Sequence, residues 1–374
     1  MATIFIGMGK PTFPIPYHFL ELGREFARRG HEVHLIMHHH HPIEEKGGNP
    51  AIHYWPWHSG ILRILQDLLL LIPLVRRYHP SCIIVGHRDT TVLNLAGWLC
   101  KVPIRVWYHH TLTQQIDLIS TRPLFIRRFR RLLRIPIYNL ITTHFIGVSN
   151  AAKSDLERVM KTAPERTFVL YNTLSDPLDP NCLSPKLNGL PEERIVCVGR
   201  LDISKGQDIL IHAVNILKDK FPNIRVHFIG TGKDAQRFQL LAEELGVSTN
   251  CHFIGVVPHH EVLSWMYSAS LTVVPSRMDN LPTTAIESMA VGTPVIGTAV
   301  GGIPEVLGGG GILVPPEDPA SLAESIASLL RDEQLRKLWS NKARTRFLEV
   351  FERSRVIPKH ADFYEELLAA YGQV

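Results

Sequence analysis

A chain of 374 residues exceeds what one hydrophobic core usually serves, so length alone favours two domains. Apolar residues at 45% and charged residues at 20% exclude a disordered chain and a membrane-spanning one. The net charge of +5 is modest, and the five cysteines (Cys82, Cys100, Cys182, Cys197, Cys251) include no C-x-x-C pair, which excludes a disulfide framework or a zinc site built on cysteine and fits a reducing compartment.

The first predicted element is a strand from Ile4 to Met8. No basic region precedes an apolar run and no small-residue cleavage site follows, so no signal peptide is read and a cytoplasmic location is expected. Gly7-Met8-Gly9 suits a tight turn beside a bound ligand, but Thr12 at the third glycine position of G-x-G-x-x-G argues against a dinucleotide fingerprint. A helix from Phe19 to Arg29 and a strand from Glu32 to Met37 follow. His38 to His41 read as a solvent loop, because adjacent side chains rarely converge on one metal; no metal site is expected. The apolar run Leu68 to Leu74 is far shorter than the roughly 20 residues that cross a bilayer. It reads as a buried helix.

Strands are predicted at Ser81 to Val85, Ile104 to Tyr108 and Phe145 to Val148. Between Asp117 and Asp155 there is no acidic residue, while Arg122, Arg127, Arg128, Arg130, Arg131 and Arg134 crowd together. On a helical wheel Phe125, Ile126, Phe129, Leu132 and Leu133 share one face and the arginines take the other. Such a helix serves either as the solvated side of a core helix or as a contact for anionic lipid or an acidic acceptor. No nucleic acid partner is expected, since no aromatic interleaving or nucleic-acid-binding module accompanies the charge.

From Ser175 to Glu193 the chain carries Pro177, Pro180, Pro185 and Pro191, a linker composition. A second series of strands then starts at Arg194 to Val198 and continues with Arg225 to Ile229, Cys251 to Ile254, Leu271 to Val274, Pro294 to Ile296 and Gly311 to Val314. Helices such as Gln207 to Lys218 lie between them. The expected organisation is an N-terminal α/β domain over 1–175, a linker over 176–193, a C-terminal α/β domain over 194–355, and a final helix over 356–374 packing back on the first domain. Leu335 to Ala370 is rich in helix formers, with Pro358 expected to bend or break it. In parallel α/β sheets ligands bind beyond the carboxyl ends of the strands, so two facing sheets imply a site in the cleft between them.

Gly230-Thr231-Gly232-Lys233 resembles part of a phosphate loop, but Asp234 stands where a magnesium-holding Ser or Thr would be, which argues against an NTPase. The strongest signal is the segment from Pro275 to Ile296. A strand ends near Val274, and Pro282 with Thr283 and Thr284 suits a helix start, proline in the first turn and threonine as cap. The helix is expected to run to about Val291 and stop at Gly292. Its amino end can hold a phosphate. Glu287, one turn further, can accept hydrogen bonds from a ribose diol, and Asp279 precedes the helix, nearer to whatever the phosphate carries.

With Asp279 in place of the first glutamate and Glu287 as the second, this segment resembles the E-x7-E signature of the retaining glycosyltransferases of family 4. Val198-Gly199-Arg200-Leu201-Asp202-Ile203-Ser204-Lys205-Gly206 is similar to the family's Gly-Arg-Leu and Lys-Gly element, and Gly301-Gly302-Ile303-Pro304-Glu305 to its following glycine pair. The resemblance is close over 190–330 and looser before it. It implies a GT-B fold, two Rossmann-like α/β domains, and transfer of a hexose with retention from a nucleoside diphosphate, a UDP-sugar ahead of a GDP-sugar, with no cofactor or metal required. Arg200 and Lys205 would hold the diphosphate. His110, Asp279, Arg200 and Lys205 are the implied catalytic set. Gly9, Gly199, Gly230, Gly232, Asn280, Leu281, Thr283, Thr284 and Glu287 complete the donor site, and His87, Arg88 and His109 are acceptor-side candidates. The acceptor would be a lipid-linked, polysaccharide or small-molecule hydroxyl, in cell-envelope or exopolysaccharide synthesis. Arg127 to Arg134 would allow peripheral attachment to an anionic membrane.

The chain departs from the family in four places. Lys10 to Tyr17 replaces a glycine-pair loop, Asp279 is one methylene short of glutamate, Pro282 stands where glycine is usual, and Tyr171-Asn172-Thr173 replaces Pro-Asn-Gly. A nucleotide-sugar epimerase, a phosphorylase and a non-catalytic sugar-nucleotide binder are the rival readings.

Overall fold

Short runs of β-branched and aromatic residues become strands because such side chains fit a pleated, buried surface. In the first half these are β1 (Thr3–Gly7), β2 (Glu32–His38), β3 (Ile52–Trp57), β4 (Cys82–Val85), β5 (Ile104–His109), β6 (His144–Gly147) and β7 (Thr167–Val169). They form one sheet in the order β3-β2-β1-β4-β5-β6-β7, with parallel pairing throughout. Ile4, Phe5, Ile6, Ile83 and Ile84 are fully buried, as strands covered on both faces require. The structure, a computed structural model, describes residues 1–8, 15–38, 49–57, 64–86, 91–120, 122–178 and 193–372.

The chain divides into two units. The first comprises Met1–His110, Arg122–Thr173 and Arg353–Val374, and the second Thr111–Thr121 with Leu174–Glu352. The first unit's sheet carries α1 (Ile15–Arg28), α2 (Ile64–Tyr78), α3 (Thr91–Leu99), α5 (Leu124–Ile141) and α6 (Asn150–Val159), whereas α4 (Thr113–Ile119) goes with the second. Helix α1 begins four residues before the expected Phe19, with Pro16 in its first turn, where its missing N–H costs nothing.

One expectation about a helix face is overturned, and one of the two alternatives for another is met only in part. In α2 only Asp67, Leu71 and Val75 are buried, and Leu65, Leu69 and Leu70 are exposed, so the apolar run is not a buried helix. In α5 the side facing the core carries Arg127, Arg131, Arg134 and Tyr138, all partly buried, and Ile141, while Phe125, Phe129, Leu132 and Leu133 point outward. Arg127, Arg131 and Arg134 are therefore not the solvated side of a core helix, whereas Arg128 is exposed. The core under α2, α3 and α5 is Phe5, Ile83, Val85, Leu93 and Trp107 with Leu71 and Val75.

The second unit repeats the plan with β8 (Arg194–Val198), β9 (Arg225–Ile229), β10 (Cys251–Gly255), β11 (Leu271–Val274), β12 (Val295–Thr298) and β13 (Ile312–Val314), again parallel, in the order β10-β9-β8-β11-β12-β13. Its helices are α7 (Gln207–Leu217), α8 (Ala235–Glu244), α9 (His259–Tyr267), α10 (Thr283–Ala290), α11 (Ile303–Leu307), α12 (Pro319–Arg331) and α13 (Glu333–Val350). Ile195, Leu210, Val226, Phe228 and Leu271 form its core. Its incoming and outgoing segments lie side by side, with Leu174 bridged to Glu352.

The last helix, α14 (Arg353–Gly372), returns to the first unit. There the Tyr364 hydroxyl donates to that of Tyr108 at 2.8 Å in the interior, and Arg29 reaches Asp362 and Glu365, both at 2.7 Å. The break in the C-terminal helical stretch falls at Phe351 and Glu352, and Pro358, expected to bend or break the helix, sits inside α14 without breaking it. Phe351 is fully buried and its carbonyl accepts from the Leu174 N–H at 3.0 Å, so tertiary pairing interrupts the helix.

Candidate active site

In the second sheet the chain builds outward from β8 through β9 and β10, then returns to β11 on the other side. Loops leaving two such neighbours run to opposite faces and open a crevice at the strands' carboxyl ends. The loop after β8 carries Gly199, Arg200 and Lys205; the loop after β11 carries Asp279 and leads into α10, which carries Glu287. Lys205 Nζ donates to Asp279 Oδ2 at 2.6 Å although 74 positions separate them.

The β8 loop is held by backbone. Gly199 N–H donates to the Ile229 carbonyl and Leu201 N–H to that of Thr231, both at 3.0 Å. Asp202 caps the single turn Ile203–Lys205 by accepting from Ser204 N–H at 3.0 Å, and Asp234 Oδ2 accepts from Ile203 N–H at 2.9 Å. A Cβ on Gly230 would run into the Gly199 carbonyl oxygen, so two backbones meet there. The Gly230 to Asp234 loop thus braces the Arg200 to Lys205 turn. Arg277, which sequence reasoning passed over, clamps the same turn: it donates to the Ile203 carbonyl at 2.8 Å and, as a fork, to both Asp208 oxygens at 2.7 and 2.9 Å. Burial works against its charge, but hydrogen bonds to Asp208 and Glu317 hold its pKa above the usual arginine value. Its signal in the sequence was its place two residues before Asp279.

Asp279 is 6% exposed. Besides Lys205, Oδ1 accepts from Asn280 N–H at 3.1 Å and Oδ2 faces the Ser276 hydroxyl at 3.4 Å. Its carbonyl accepts from Gly302 N–H at 3.0 Å, and a Cβ on Gly301, whose φ is +53, would strike that same oxygen. Only glycine meets both demands, so the pair Gly301-Gly302 fixes the Asp279 backbone. Asn280 and Leu281 are buried, and Thr283 and Thr284 half-buried.

Helix α10 starts one residue later than expected. Pro282 occupies the cap position with extended backbone (φ −66, ψ 103), Thr283 and Thr284 are already helical, and no side chain caps the start. The far end, a Val291 cap before Gly292, matches the expectation. Glu287 is 4% exposed and accepts from His259 Nε2 at 3.0 Å, a partner on α9 that no motif indicated. Arg200 is more than half exposed, with Nη2 3.1 Å from Asp202.

The first sheet reverses between β1 and β4. Gly9, His87 and Arg88, the candidates at those strand ends, lie outside the described residues. His110, just past β5, donates from Nε2 to the Gly86 carbonyl at 2.7 Å and stacks on Tyr108. His109 points to the opposite face by strand alternation. It is buried and donates from Nε2 to Asp155 on α6 at 2.9 Å. Among the described residues, Glu32, His34 and His53 bring ligand-type atoms within 4.8 Å of one another. Trp55 donates to His34 Nδ1 at 2.9 Å, so the His34 proton sits on Nε2, 3.3 Å from Glu32 Oε1. No helix among the described residues is long and apolar enough to cross a membrane.

Two family models match: "Glycosyltransferase Family 4" over residues 15–175 and "Glycosyl transferases group 1" over residues 185–346. The chain belongs to glycosyltransferase family 4. This family 4 chain is 36% identical to a D-inositol 3-phosphate glycosyltransferase of Corynebacterium jeikeium over 37% of its own length and 35% of that protein's. It is 28% identical to an MMP alpha-(1->4)-mannosyltransferase of Mycolicibacterium hassiacum over 83% of its length and 69% of that protein's. The match thus spans about a third of the first relative. Among solved structures, Anabaena HepE in complex with UDP-glucose superposes with a TM-score of 0.75 at 17% identity, covering 98% of this chain and 100% of HepE. The fold is GT-B, and the two Rossmann-like sheets are its two halves.

Proposed function

We propose that this family 4 chain is a retaining hexosyltransferase that draws its sugar from a nucleoside diphosphate. The observation that carries the reading is the contact between Lys205 and Asp279 at 2.6 Å, a cation and a buried carboxylate meeting at the crevice of the second sheet. Lys205 and Arg200 take the diphosphate. Negative charge grows on it as the sugar bond breaks, so fixed cations lower the barrier more than they stabilise the bound donor. The first-turn amides of α10, which no side chain caps, add to this. Asp279 then positions the sugar hydroxyls, Glu287 accepts from the ribose diol, and His110 keeps the role the resemblance assigns it, orienting the transferred sugar.

The acceptor oxygen bonds to the anomeric carbon on the face from which the diphosphate departs. A donor phosphate oxygen takes the acceptor proton, and no metal or other cofactor is required. A UDP-sugar is the preferred donor, a choice supported by HepE having been solved with UDP-glucose. The acceptor is a glycan or lipid-linked hydroxyl in envelope or exopolysaccharide synthesis. A polyol or sugar hydroxyl agrees with relatives named for inositol phosphate and mannosyl transfer.

Thermal melts against UDP- and GDP-sugars, followed by turnover with candidate acceptors in the presence of a chelator, test the proposal. A ligand at a hundred times its Kd stabilises by about 2.7 kcal/mol, a shift readily measured. Stabilisation by no nucleotide sugar would overturn the reading, and isomerisation of donor alone would make the chain an epimerase.

A further inference from the structure

Helix α5 presents its two faces in the reverse of the order expected in water. Arg127, Arg131, Arg134 and Tyr138 lie on the side turned to the core, while Phe125, Phe129, Leu132, Leu133, Ile137 and Leu140 are exposed, Phe125 at 72% and Leu132 at 68%. Helix α3 packs against both α5 and α2, and all three cover one side of the first sheet. On the outside of this layer α2 adds Leu65 and Leu69, at 78% and 75% exposure. A run of apolar side chains of this length facing solvent marks an interaction surface.

The charge around it selects the partner. Arg128 is exposed on α5, Arg122 just before its start and Arg76 and Arg77 at the end of α2, and the chain carries no acidic residue between Asp117 and Asp155. A second copy docked by a two-fold axis would set this arginine-rich patch against itself, with no carboxylate from α5 to neutralise it. An anionic bilayer supplies the opposite charge and the apolar phase together.

We propose that this helical layer docks on an anionic lipid bilayer, α5 lying in the interface with Phe125, Phe129 and Leu132 among the acyl chains and Arg128 and Arg130 at the headgroups. This deepens the acceptor reading above, because a lipid-linked acceptor is presented at such a surface. Binding is measured without nucleotide sugar, so its failure and the failure of the transferase reading are distinguishable.

The test is cosedimentation of the full chain with vesicles of phosphatidylcholine alone or mixed with phosphatidylglycerol, at low and high salt. The expected result is sedimentation with the mixed vesicles only, weakened by salt. Phe129→Glu with Leu132→Glu should lower the bound fraction at least about tenfold, since each removes a side chain that burial in the bilayer would stabilise. Their exposure predicts an unchanged melting temperature, which confirms folding. Arg128→Glu with Arg130→Glu should weaken binding by about fivefold per arginine removed and flatten the salt dependence. Wild-type protein remaining in the supernatant with anionic vesicles at low salt would overturn the proposal. So would a wild-type dimer in sedimentation velocity that Phe129→Glu converts to monomer.

Discussion

At the crevice of the second sheet a lysine and an aspartate from loops 74 positions apart meet at 2.6 Å, whereas beside the first sheet's reversal a histidine ring donates to the carbonyl of Gly86. Both sheets run in the order 3-2-1-4-5-6, and the first adds one more strand. The second unit braces its crevice with backbone, through Gly199, Gly230, Gly301 and the Arg277 clamp, so its charges are oriented before a ligand arrives. The first unit is held by buried rings, among them His18 and His360, whose pKa values burial pushes down, His360 to about 4. One topology therefore supports two emphases: an oriented charge pair at the crevice of one unit, a larger set of buried imidazoles in the other.

The largest expected effect breaks the charged crevice. Asp279→Ala should lower turnover by about a thousandfold, the scale of losing one oriented electrostatic partner, with melting close to wild type. Steady-state nucleotide release measures it, and a wild-type rate would remove Asp279 from the site. Gly301→Ala attacks the same residue through its backbone: a Cβ at φ +53 against the Asp279 carbonyl should cost about 1–3 kcal/mol, read as a lowered melting temperature.

Acid should separate the two units. His18, His34, His144 and His360 of the first unit are all lowered, chiefly by burial, against His227 and His252 in the second. A histidine titrating near 6.5 when unfolded and near 4 when folded takes its proton first in the unfolded state. For His144 and His360, both pushed down to about 4, stability present above pH 6.5 is thus lost as pH falls toward 4, by roughly 1–2 kcal/mol each at pH 5. Hydrogen exchange at pH 7 and pH 5, corrected for intrinsic rates, should show the first unit loosening more; equal loosening of both would contradict the contrast. The smallest effect concerns His259, which orients Glu287. His259→Ala should raise the donor KM about fivefold with kcat nearly unchanged, and His259→Gln should restore part of it.

Much of this was legible in the residues. The strands at Arg194–Val198, Arg225–Ile229 and Leu271–Val274 appear where apolar runs predict them, because strands buried on both faces leave continuous apolar stretches. Lys205, Asp279 and Glu287 stood out as chemistry at the ends of predicted elements. The threonine cap on α10 failed because the proline before it took the extended position, a competition between neighbours that propensity does not rank. His259 and Arg277 were missed because their partners, Glu287 and Asp208, lie 28 and 69 positions away.

The amino-acid sequence by itself determined two series of parallel α/β units and the charged residues available to the second. Tertiary structure alone decided which charges meet and which side of α5 faces out. The physical reason is the same in both cases. Periodicity reports that two faces of a helix differ in polarity, but only packing against the sheet decides which face is inward. Likewise, loops far apart in the chain become neighbours only where the strand order reverses.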